Sequence, residues 1–146
     1  MSFSPFSEDG MIPRIYADFQ KGGKGYLILT CYGTLRDLSL YRIRLAEGMD
    51  LTFYADSDVN EDLEVEGRVF YEPGVDDRKG HWSARYDWDS IRNVSVDHSL
   101  NRHTGHPCFL CRCDLQPYLA EHGRSEEICC PACGTSIMAP LLAPDA

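Results

Sequence analysis

Six of the chain's seven cysteines lie between positions 108 and 133: Cys108, Cys111, Cys113, Cys129, Cys130 and Cys133. Cys108-Phe-Leu-Cys111 and Cys130-Pro-Ala-Cys133 are two CxxC pairs separated by 18 residues. A CxxC turn aims two sulfurs at one point, and CxxC-x18-CxxC has the spacing of a four-cysteine zinc site. Gly134, directly after the second pair, suits the bend of such a knuckle. The predicted ligands are therefore Cys108, Cys111, Cys130 and Cys133. Cys113 and Cys129 sit beside them as alternative ligands, and His106 offers a three-cysteine, one-histidine alternative. The plainer reading of His103 and His106 is polar linker residues. Four thiolates leave no open coordination position, so the pattern predicts a structural metal. Iron is the competitor to zinc; a rubredoxin-type centre usually has a glycine after each pair, and here Arg112 follows the first.

The spacer fits this chemistry. Asp114 is an expected N-cap, Pro117 is tolerated in a first turn, Tyr118–His122 continues a short helix, and Gly123 can end it. EEIC and TSIM are expected to flank the second knuckle as short strands. Some 30 residues cannot bury enough apolar surface to offset their ordering entropy, whereas a structural zinc contributes roughly 10–16 kcal/mol of apparent binding free energy in small finger peptides. The segment 108–139 resembles a zinc ribbon or a rubredoxin-like knuckle pair. That resemblance implies metal binding and no particular activity.

The elements that must carry this module are read from periodicity. In IPRIYADFQ (12–20) Ile15, Ala17 and Phe19 share a face, and in YLILTCY (26–32) Leu27, Leu29 and Cys31 do, which makes Cys31 a small core residue. TLRDLSLYRI (34–43) breaks the alternation with Leu35, Leu38 and Tyr41 at helical spacing, opened by Thr34 and Asp37 as a weak capping box. Alternation returns with Leu51, Phe53 and Ala55, then with Leu63, Val65, Val69 and Tyr71, then with Trp82, Ala84, Tyr86 and Trp88. The fold class is mainly β: a small five-stranded antiparallel barrel of SH3-like or OB-like type with one short helix, followed by the zinc-ribbon module. A two-layer α+β sheet is the alternative. The expected divisions are a flexible leader at 1–11, the β domain at 12–98, a linker at 99–107, the metal module at 108–139 and a flexible tail at 140–146. Periodicity fades from Asp89 onward, with one helical turn near Ser90–Asn93.

From Met11 to about His98 the chain also resembles a group of small uncharacterised bacterial proteins, through its IPRIYADF opening, its GT-x-x-DL helix, its EGM-DLTFYAD strand and its YDWDSIR ending. The resemblance implies no activity; it makes the cysteine module look like an addition to a smaller unit.

Charge narrows the partners. The formal net charge is −9, with 14 basic and 23 acidic side chains. Such a chain is a poor nonspecific phosphate binder, because phosphate affinity comes from clustered Lys and Arg. A basic protein partner suits the sign better. The start of the chain has no basic-then-apolar secretory pattern, and no window approaches the roughly 18 apolar residues of a membrane span. A reducing cytoplasm is the expected compartment, where clustered thiols favour metal over disulfides. No GxSxG, HExxH or GxGxxG occurs, and Gly22-Gly23-Lys24-Gly25 precedes a strand rather than a helix, so it is not a phosphate loop. The expectation is a non-enzymatic adaptor recognising a protein partner. Tyr16, Tyr26, Tyr54 and Phe70, on the alternation opposite the core, are its candidate surface. A nucleic-acid- or ribosome-associated role, with Arg36, Arg42 and Arg44 as contacts, and rubredoxin-like electron transfer or thiol redox work are the alternatives.

Overall fold

The computed structural model describes residues 13–20, 22–75, 80–97, 105–122 and 128–142. The expected leader, His103 and most of the linker, Gly123 and the last residues of the tail lie outside these. In chain order the elements are β1 (Arg14–Tyr16), β2 (Tyr26–Ile28), α1 (Tyr32–Leu40), β3 (Asp50–Asp58), β4 (Glu61–Glu72), β5 (His81–Arg85), β6 (Arg92–Ser95) and α2 (Gln116–His122), with 3-10 turns at Trp88–Ser90 and Ala139–Leu141.

The strands form one open, mixed sheet in the order β1-β3-β4-β5-β2, with β6 also on β4. The antiparallel barrel is thereby corrected in two respects. β1 runs parallel to β3, with Ile15 opposite Phe53, and β1 and β2 end at opposite edges of the sheet. A second layer removes the need to curl. Leu38 of α1, with Ile43 and Leu45 just after it, packs with Ile15, Leu27, Phe53, Val69 and Trp82 in one core, so the apolar face is covered without closure. Alternation placed this face well: Ile15, Ala17, Leu27, Leu29, Leu51, Phe53, Val65, Val69, Trp82 and Ala84 are all buried. Trp88 is exposed, and Phe19, Cys31, Leu63 and Tyr71 are only half-buried.

The sixth strand lies where the sequence reads as irregular. β5 pairs with Arg68–Glu72 of β4 and β6 with Glu61–Glu64, along the same edge. The two are halves of one interrupted strand. Between them Asp87 caps the 3-10 turn by accepting the Asp89 N–H at 3.0 Å, which lifts the chain off β4. β6 is largely exposed and polar, so it has no apolar alternation; backbone pairing and Arg92 donating to Glu64 at 2.6 Å hold it.

The helix begins at Tyr32, two residues before the expected start, with Cys31 at the N-cap position. Cys31 is thus half-buried at a helix end, in contact with the Thr34 hydroxyl at 3.0 Å, and not a core residue. Thr34 and Asp37 are buried inside the helix and turn towards β1. The Thr34 hydroxyl donates to the Tyr16 carbonyl, and an Asp37 oxygen accepts the Tyr16 N–H at 2.9 Å. Both backbone polar groups of Tyr16, on the outer edge of β1, are thereby satisfied, where a bare edge would be a pairing hazard. The helix stops in a Schellman motif: Ile43 N–H donates to the Leu38 carbonyl, Arg42 N–H to the Ser39 carbonyl, and Arg42 takes φ 55°. Leu38 and Ile43 supply its apolar contact.

Asp37 is fully buried and holds three donors: the Tyr16 N–H, the Tyr54 hydroxyl at 2.9 Å and Arg36 Nε at 3.0 Å. Asp37→Ala is expected to cost about 3 kcal/mol or more in urea unfolding, because it strands those donors. Burial, reinforced by the Asp37 charge, pushes the Tyr54 phenol well above its ordinary value. A raised phenol favours the neutral form, so its stabilisation is complete below the ordinary tyrosine pKa of about 10 and is lost as pH rises through the raised value. Unfolding followed against alkaline pH should fall more steeply for the wild type than for Tyr54→Phe.

Candidate metal centre

The two CxxC turns are built alike. In the first, Cys108 N–H donates to the Cys113 carbonyl at 2.7 Å and Arg112 N–H to the Cys108 carbonyl at 3.3 Å. In the second, Cys130 N–H donates to the Thr135 carbonyl and Gly134 N–H to the Cys130 carbonyl, both at 2.8 Å. Each turn also sends the N–H two residues on to its first sulfur, Leu110 to Cys108 and Ala132 to Cys130, both at 3.4 Å. The match reaches the backbone angle. Arg112 has φ 70° and Gly134 φ 82°, so the arginine adopts the left-handed conformation that the glycine takes without strain. The missing glycine therefore does not alter the knuckle, and Arg112 is no argument against iron.

The four predicted ligand sulfurs lie within 4.8 Å of one another. The contacts cross between turns: Cys108 to Cys133 and Cys111 to Cys130, each at 3.6 Å. Metal–sulfur bonds of about 2.3 Å in a tetrahedron put sulfurs about 3.8 Å apart, so the cage fits one tetrahedral metal ion. It does not fit disulfides, whose sulfurs stand about 2 Å apart. The alternative ligands Cys113, Cys129 and His106 are not members of the cluster.

The sulfurs are electrostatically unequal. Hydrogen bonds from the Thr135 hydroxyl and backbone push the Cys133 thiol down to about 6. At Cys130 burial acts upward, but the N–H groups of Cys133 and Ala132 outweigh it and lower the value. At Cys111 the Cys113 N–H acts downward, yet desolvation and the sulfurs of Cys133, Cys130 and Cys108 push the thiol up to about 12. Crowded thiols that share protons in this way are ready to exchange them for one cation.

The surrounding module is small. Leu115, Leu119, Ile128 and Ile137 pack with Cys108 and Cys130 in a second, separate core. Asp114 starts α2 as expected, accepting the Gln116 N–H at 3.0 Å, and Pro117 sits in the first turn. Of the strands expected at EEIC and TSIM, the described residues show the single bridge of Cys129 with Ser136, Glu126 and Glu127 lying outside them; the first knuckle has a like bridge of Pro107 with Asp114.

This module is docked on α1. Arg112 Nη1 donates to the Leu40 carbonyl at 2.6 Å, using one of the acceptors that a helix C-terminus leaves over. His106 is fully buried, with Nε2 3.4 Å from the Ser39 hydroxyl and its ring edge-on to Tyr32 at 5.4 Å. It is therefore an interface residue and not the polar linker residue expected. The Tyr32 hydroxyl donates to Gln116 at 2.9 Å. Past the second knuckle the chain returns to the sheet: the Pro140 carbonyl accepts from Leu45 N–H at 3.1 Å, and the Leu142 carbonyl accepts from Trp82 Nε1 at 2.9 Å. Residues 140–142, read from sequence as the start of a flexible tail, are thus held against the β core.

The four candidate surface aromatics separate into two pairs. Tyr16 and Tyr54 meet edge to face at 5.8 Å beside α1, Arg14 lies 4.4 Å above the Tyr54 ring, and the Tyr54 hydroxyl is committed to Asp37. Tyr26 and Phe70 meet at 6.3 Å around Arg85, and Tyr26 is 45% exposed. Of the four, Tyr26 is exposed, and Tyr16, Tyr54 and Phe70 are half-buried.

The sequence shows Arg112 in the place that Gly134 takes in the second knuckle and His106 as an alternative ligand or linker residue, but neither their docking role nor Arg85 is read from it. Nothing in the sequence marks His106 as buried, because its partners Tyr32 and Ser39 lie some 70 residues upstream.

Among known proteins the chain matches no family model, no curated protein and no solved structure. The likeness of residues 11–98 to small bacterial proteins gains no support there, and the functional reading rests on the site.

Cys130→Ser is expected to abolish stoichiometric metal binding and collapse the amide resonances of 105–142 towards random-coil shifts, while most sheet resonances persist. Cys113→Ser should retain one equivalent of metal. Elemental analysis with amide spectra checks both. Arg112→Gly should keep the metal and loosen docking, seen as faster amide exchange near Leu40.

Proposed function

We propose that this chain is a non-enzymatic adaptor in which one structural zinc ion folds the C-terminal module and the surfaces so fixed recognise a protein partner. The observation that carries the reading is the closed cage. Four thiols converge on a single point from two like turns, which takes up every position of a tetrahedral ion and leaves none for substrate. Zinc suits a site whose work is structural, since it has no redox chemistry and tolerates ligand sets set by the fold. The cytoplasm fits free thiols, and among the described residues no helix is long and apolar enough to cross a membrane.

The charge of −9 favours a protein partner over nucleic acid. So does the placement of the arginines around α1. Arg36 is tied to Asp37 and half-buried, which leaves Arg42 and Arg44 without the third member of the expected phosphate cluster.

Protein purified from cells grown with both metals available should hold one equivalent of zinc, lack the visible thiolate-to-iron absorption, and bind neither RNA nor DNA at low salt. A stoichiometric iron content would overturn the metal assignment. Salt-sensitive RNA binding would replace the adaptor reading with the nucleic-acid one.

A further inference from the structure

A groove of about 620 Å³ opens on the sheet where β3, β4 and β5 run side by side, lined by Asp50, Thr52, Glu66, Arg68 and Arg85 among others. The register sets a row across four strands: Asp50 opposite Arg68, Arg68 opposite Arg85, and Arg85 opposite Tyr26. Two arginines directly opposite on neighbouring strands repel each other, and such pairs are destabilising unless something negative lies between them. Asp50 answers only one of them. It pairs with Arg68 at 3.1 Å, with both side chains 70% exposed, so the pair is weak and exchangeable.

Arg85 is left over. Among the described residues its guanidinium has no hydrogen-bond or ion-pair partner, and it lies 4.6 Å from the centre of the Phe70 ring and 5.8 Å from that of Tyr26. A guanidinium in contact with two rings is partly immobilised while its N–H fork stays free for a planar anion. Phe70 lies two residues from Arg68 on β4, next to the row and not in it. The result is an uncommitted cation beside the exposed ring of Tyr26 and the half-buried ring of Phe70, on a chain whose net charge is strongly negative.

We propose that this groove docks an extended segment of a protein partner that carries a Glu or Asp side chain next to an apolar or aromatic one. The carboxylate bridges Arg68 and Arg85, which relieves their repulsion, and the apolar side chain covers Tyr26 and Phe70. A single carboxylate is the anion that fits. A polyanion such as a nucleic-acid backbone meets Asp50, Glu66 and Asp87 in the same groove, along with the charge of the whole chain. The adjoining strands, about 4.8 Å apart, give the row a span of some 14 Å, about the length of four extended residues. This proposal rests on the adaptor reading and names the surface and the chemistry of its partner.

The test is an amide chemical-shift titration of the metal-loaded protein with acetyl-Gly-Phe-Glu-Leu-Gly-amide, with its Phe-Gln-Leu counterpart, and with inorganic phosphate. The Glu peptide is expected to shift the amides of Tyr26, Arg68 and Arg85. Exchanging Glu for Gln in the peptide, or Arg85→Gln in the protein, should weaken binding at least about tenfold, the scale of one charge-assisted hydrogen-bonded pair. Arg85 is exposed, so Arg85→Gln should fold, and Tyr26→Ala gives a second variant that leaves both arginines in place and should weaken the Glu peptide. No shift with millimolar Glu peptide, equal binding of the Gln peptide, or phosphate shifting these amides as strongly would each overturn the proposal. Capture of a stoichiometric partner from lysate equally well by wild type and Arg85→Gln would overturn the groove and leave the adaptor reading standing. Binding of the Glu peptide without any partner captured would do the reverse.

Discussion

The buried carboxylate of Asp37 is the constraint on which this architecture depends. It faces the backbone of β1, the hydroxyl of Tyr54 and the guanidinium of Arg36, so it fixes the nine-residue helix α1 against the edge of the sheet. A charge without water is tolerable only when its lone pairs are filled, and three donors converge here. With that contact in place, Leu38, Ile43 and Leu45 lie over the apolar face, and the sheet stays open because it has no bare face to hide.

The same helix carries the metal module. Its flank offers Asp37 and Thr34 to the sheet, and its last turn offers Ser39 and the Leu40 carbonyl to His106 and Arg112. The two cores are separate, yet they are joined through one short helix and through the returning segment at 139–142. A knuckle arginine in the left-handed region costs on the order of 1 kcal/mol relative to glycine. Its bond to the helix end explains why that residue is useful there: glycine would relax the turn and leave the helix without this tether.

The division of labour between metal and apolar burial follows size. Residues 14–95 assemble a core large enough to hold a six-stranded sheet, and alternation alone placed nearly all of that core correctly. The described part of the module buries only a handful of aliphatic side chains, and two of its most buried residues are the candidate ligands Cys108 and Cys130 themselves. Its compactness is organised around the sulfurs, so whatever occupies the cage sets the position of α2 and of both knuckles.

The sequence by itself determined the four sulfurs, their pairing into like turns, the capping residue Asp114, and most of the inward face of the long strands. Each of these is a local pattern: a CxxC spacing, a capping residue, a period of two. It did not determine the parallel pairing of β1 with β3, the polar strand β6, the burial of His106, the service of Thr34 and Asp37 to a strand edge, or the cross-strand row from Asp50 to Tyr26. These depend on which distant segments meet. Periodicity tells which side of a strand faces inward, but only the tertiary structure decides which neighbour stands beside it, because strand order and helix docking are settled by contacts between residues far apart in the chain.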